Sequence, residues 1–138
     1  MHQINSQCLV HAAIKCANRL KISVNIAIYD TGANLLAFQK MDGALLGSID
    51  VSLKKARSAV LFQKPTETLG QLVREYQLES IEQTNDGLIL FAGGEPINLG
   101  GTIIGGIGIS GGSAAQDKEI ALYAISELNK TNIVKDIL

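Results

Sequence analysis

Residues Gly105–Ser113 read GGIGISGGS. The stretch embeds G-x-G-x-x-G at Gly106, Gly108 and Gly111, a spacing that wraps a pyrophosphate in dinucleotide-binding domains. That reading needs a strand, the glycine turn, a helix, a parallel second strand and an acidic residue about 20 positions on. A strand pattern and a helix pattern flank these glycines, but only the short tail KTNIVKDIL follows the helix. No lysine stands directly after the glycines, so a P-loop fails too. The glycines therefore belong to a strand. Gly106 and Gly108, with Thr102 and Ser110, fall on one face at the strand period and leave it almost bare. A bare strand face marks the close approach of another backbone or of a flat ligand. Helix packing and a shallow binding surface both satisfy it.

On the C-terminal side, Gly111, Gly112 and Ser113 lead into a helix over 114–129, whose free N–H groups suit a carboxylate or phosphate. Ser113 and Gln116 have capping-box spacing. Asp117 falls within the apolar stripe of this helix. It reads either as a first-turn acid bonded to loop N–H groups or as the polar end of a pocket. On the N-terminal side, 88–91, 96–99 and 102–110 are apolar runs split by glycine pairs, read as one short and two long strands.

Further upstream, 6–20 has a helical stripe of Val10, Ala13, Ile14, Ala17 and Leu20, with Asn5 or Ser6 as cap. His11, Lys15 and Asn18 share its other side. Alternation over 23–29, the turn cluster DTGAN and the run 35–41 predict a hairpin. A helix over 48–63, with Ser48 as cap, ends at Pro65, and a short helix starts at Thr66. Helices and strands do not alternate regularly, which predicts an α+β fold in three layers, with helices on an antiparallel sheet.

The chain has 138 residues, 46% apolar and 18% charged, with formal net charge −1. One domain spanning 1–138 is expected. The balance excludes a basic nucleic-acid footprint, and no apolar run is long enough to cross a bilayer. Residues 1–20 lack a signal-peptide pattern, so a cytoplasmic location is expected. Cys8 and Cys16 lie too far apart on one helix for a disulfide and lack metal-site spacing. An acyl-transfer triad would have to draw its base from His2 or His11.

Three blocks, AIYDTGANLLAFQKMDGA, KKARSAVLFQKPT and GGEPINLGGTIIGGIGISGGSAAQDKEIA, together resemble the GlcG/HbpS-like family, which includes the C-terminal domain of PduO-type corrinoid adenosyltransferases. The resemblance spans about residues 6–128 and departs at Ala33, where many members carry glycine. It implies a profilin-like, five-stranded antiparallel sheet and a homo-oligomer, a dimer or larger. It also implies haem or a related tetrapyrrole as ligand, and service to glycolate or diol and glycerol metabolism. His11 is then the candidate axial ligand, and Lys55, in KKARSA, a candidate for an anionic ligand or a neighbouring subunit. Two alternatives stay open. One is an enzyme acting on a carboxylate or aldehyde through Asp117, Lys55 and the glycine-rich surface; the other is an assembly module with no small ligand.

Overall fold

The structure is a computed structural model and describes residues 4–137; His2 lies outside them. The element order is α1 (Ser6–Arg19), β1 (Asn25–Asp30), β2 (Leu35–Lys40), α2 (Gly47–Phe62), α3 (Thr66–Glu75), β3 (Gly94–Leu99), β4 (Thr102–Ser110) and α4 (Ala114–Ile137), with a single 3-10 turn at Ile81–Gln83. The four strands form one antiparallel sheet in the order β2-β1-β4-β3.

Alternation along β1 and the residue before it sorts the side chains. Val24, Ile26 and Ile28 join Ile107 and Ile109 of β4 in a core with Leu9, Ala13 and Ala17 of α1 and Ile120, Ala124 and Leu128 of α4. The other face carries Ala27, Gly106 and Gly108 under α2. The result is three layers, with α1 and α4 on one side of the sheet and α2 and α3 on the other. Asn5 caps α1 by accepting from the Cys8 N–H, and Ser113 and Gln116 bond reciprocally at the start of α4. No side chain caps α2, where Ser48 was expected to.

The expected fifth strand is absent among the described residues; the sheet has four. Residues 88–91 are apolar but do not pair with a strand. The Leu88 N–H donates to the Glu82 carbonyl and the Ile89 N–H to Ser58 Oγ. The Leu90 carbonyl lies so close to Gly70 of α3 that a Cβ there would stand 1.9 Å from it. The segment thus packs across α2 and α3, and the Leu88 and Ile89 N–H groups are satisfied by the 3-10 turn and by α2 rather than by a ladder. Among the described residues no helix is long and apolar enough to cross a membrane.

Candidate functional site

The bare face of β4 is covered. A Cβ on Gly108 would lie 2.1 Å from the Ser52 carbonyl oxygen and 2.5 Å from the Ala56 nitrogen; one on Gly106 would lie 2.6 Å from the Ala56 carbonyl oxygen. The backbone of α2 therefore rests on the backbone of β4, and the glycines set that spacing. Gly111 has φ +147° and sits against Ser23 and Val24, where a side chain would collide.

Lys55 and Asp117, 62 positions apart, meet beside the end of this strand. Lys55 Nζ donates to Asp117 Oδ2 at 3.0 Å and to the Ile109 carbonyl at 2.8 Å. Asp117 Oδ1 accepts from the Gly112 N–H at 2.9 Å. Lys55 is 1% and Asp117 2% exposed. Burial lowers the Lys55 pKa, and the Asp117 charge opposes that shift. Gly93, at φ +123°, leaves the room the ammonium occupies: a Cβ there would stand 2.5 Å from Nζ. The half-exposed Phe91 ring covers the ammonium at 5.1 Å. The pair binds the end of β4 to α2 and α4. Ser113 is exposed at the start of α4, where its hydroxyl accepts from the Gln116 N–H.

Close by, Glu95 of β3 is 5% exposed, and burial pushes its pKa up to about 7. Lys118 lowers it and Glu67 raises it, and those two form a bridge of 2.6 Å at the surface. Its isolation had no signal in sequence, because the groups around it come from α3 and α4.

His11 lies elsewhere. A groove of about 320 Å³ follows the seam of α1 and α4, lined by Cys8, His11, Ala12 and Lys15 of α1 and Tyr123 and Glu127 of α4. The helices run antiparallel, so Cys8 Sγ faces Thr131 Oγ1 at 3.9 Å while Arg19 stacks on Tyr123 at 4.5 Å from the ring centre. His11 and Lys15 are exposed and Cys8 is half-buried. The donor set suits a haem-type group: an imidazole for iron, a flat ring and a methyl as apolar wall, and a cation at one end. Tyr123, Glu127 and Cys8 escaped the sequence reading as groove residues because nothing local pairs α1 with α4. Another groove, against Tyr29 and α2, is lined by Asp50, Lys54, Arg57 and Asp86. Its cations are engaged, Lys54 with Asp50 and Arg57 with the Asn85 carbonyl.

Residues 4–126 match the family model of the haem degrading protein HbpS-like group. The chain is 36% identical over 117 residues to an uncharacterised 15.0 kDa protein from the dhaT-dhaS intergenic region of Citrobacter freundii, covering 81% of this chain and 82% of that one. It is 37% identical over 125 residues to the corrinoid adenosyltransferase PduO of Salmonella typhimurium, which spans 88% of this chain but only 37% of that longer protein. Among solved structures, a PduOC:haem complex superposes with TM-score 0.83 at 34% identity, covering 94% of this chain and 95% of that one.

Proposed function

The chain belongs to the HbpS-like family, and on that premise we propose that it is a small cytoplasmic homo-oligomer that binds haem or a related tetrapyrrole in the α1/α4 groove. Its role is that of an accessory to glycolate or diol and glycerol metabolism. The observation that carries the reading is His11, an exposed imidazole on the wall of an open groove beside a flat ring. A relative of 34% identity solved as a haem complex supports the choice of ligand, and kinship with PduO supports the metabolic setting.

Haem, if bound in this groove, would supply redox-active, ligand-binding iron chemistry, with His11 as its protein donor. This chain's residues do the rest. His11 offers a ring nitrogen, and helix packing behind it holds α1 in place. Ala12 and Tyr123 present apolar surface to a macrocycle.

Titration with haem tests this. The wild-type chain should shift the Soret band, and a ligand at about 100 times its Kd should add about 2.7 kcal/mol of stability. His11→Ala should change the band and weaken binding about tenfold or more, equivalent to about 1.4 kcal/mol. No absorbance change with the wild type removes haem as the ligand; an unchanged band in His11→Ala removes His11 as the donor.

A further inference from the structure

We infer that the α1/α4 groove selects tetrapyrroles bearing ionised carboxylates, and that Lys15 is the residue that reads them. The inference rests on the groove being a tetrapyrrole site and names the ligand class within it. Along α1, Cys8, His11, Lys15 and Arg19 follow one another at spacings of three and four, which places them on one helix face. A rise of about 1.5 Å per residue sets Lys15 about 6 Å and Arg19 about 12 Å along the axis from His11. The groove is therefore polarised. One end carries the Lys15 ammonium, and beyond the lining the Arg19 guanidinium stacks on Tyr123. The other carries the Cys8 thiol beside Thr131.

The charges on this face are not spent on one another. Glu127, the acid of the groove, bridges to Lys130 at 3.4 Å. Lys15 enters no salt bridge among the described residues, and Arg19 sits over a ring rather than a carboxylate. A ring held near His11 puts its edge about one helical turn away, where flexible carboxylate arms meet the ammonium. A lysine suits this task, since a point charge on a flexible stem accepts many geometries. A corrinoid presents mainly amides at its rim, and these offer Lys15 no counter-charge. Haem-type rings are favoured for that reason.

Four probes test this on the full chain at low salt, where exposed charge pairs count most: haem, haem dimethyl ester, metal-free protoporphyrin and aquocobalamin. Lys15 is exposed, so its substitution leaves the core intact. Lys15→Gln should weaken haem roughly two- to fivefold, the range expected of one exposed charge pair, and Lys15→Glu more. The ester should bind wild type more weakly than haem by a similar factor and should not respond to Lys15→Gln. Metal-free protoporphyrin, which keeps its carboxylates and lacks iron, should lose affinity in Lys15→Glu and be indifferent to His11→Ala. Aquocobalamin should bind more weakly than haem and ignore Lys15. Equal affinity of wild type for haem and its ester, or unchanged binding of the free acids by Lys15→Glu, overturns the inference while leaving a His11-dependent haem spectrum intact. The converse also separates them: a haem spectrum indifferent to His11→Ala, with protoporphyrin still lost in Lys15→Glu, removes the axial ligand and keeps the carboxylate reader. No binding of any porphyrin overturns both.

Discussion

Lys55 is almost fully buried and has three partners: the Asp117 carboxylate, the Ile109 carbonyl and the face of Phe91. Removing one member of a buried pair strands the other, which costs about 3–5 kcal/mol, whereas replacing both costs less. Lys55→Met should therefore lower stability by about that amount, and Lys55→Met with Asp117→Asn should recover part of it. Urea unfolding at constant slope measures both; a single variant within about 1 kcal/mol of wild type would show that the charges are not desolvated. Glu95 makes a prediction of opposite character. Its folded pKa is raised, to about 7 from an ordinary 4.5, so the folded chain holds the proton more tightly than the unfolded chain in that interval. Stability should fall as pH rises from about 4.5 to about 7 and level off above. Thermal melts of Glu95→Gln should lose this slope, and an identical slope in both proteins assigns it to another group.

Between elements, the decisive contact is α2 on β4. Backbone meets backbone there, so even one methyl has no flexible neighbour to displace. Gly108→Ala should cost about 3 kcal/mol or more, at the upper end of overpacking effects, because α2 must lift off the sheet. Gly47→Ala is the control, since a Cβ there meets nothing within 4 Å. Similar denaturation midpoints for the two variants would mean that α2 does not press on the strand. The sequence reading put the bare face on the right strand but could not choose between a helix and a ligand as its cover. The run 88–91 failed as a strand for a related reason. Its composition suits a buried strand, yet its backbone takes partners in the 3-10 turn and α2 and packs closely on Gly70 of α3.

For the whole molecule, the exposed apolar side chains bear on assembly. Leu45 and Leu46 are 68% and 76% exposed in the loop entering α2, and Leu35 and Leu36 are 50% and 44% exposed on the edge strand β2. Large exposed apolar side chains are candidates for burial against another copy. Light scattering at tens of micromolar, well above a roughly μM dissociation constant, should give at least a dimer, and Leu45→Ser with Leu46→Ser should shift the population toward monomer. A wild-type monomer under those conditions refutes homo-oligomerisation. An unchanged mass in the double variant places the interface elsewhere, with β2 the next edge to probe.

The sequence by itself determined what repeats at short range. The 3.6 and 2.0 periods locate the hairpin, the glycine strand and the helices to within a few residues, except that α4 continues to Ile137 through the stretch expected as a tail after 129. The Ser113–Gln116 capping box closes as its spacing requires, because both partners lie in one turn. The long motif blocks were enough to recognise the family that residues 4–126 match. Tertiary structure decided everything that joins distant positions. It turned Lys55 and Asp117 from two candidate ligands into partners of each other, isolated Glu95, and set Tyr123 and Glu127 across from His11 and Lys15. A local pattern says which face of an element is apolar, but two faces of similar composition pack equally well in the abstract. Only the closing of the sheet between α1/α4 and α2/α3 selects which polar groups are left facing one another, and in what solvent.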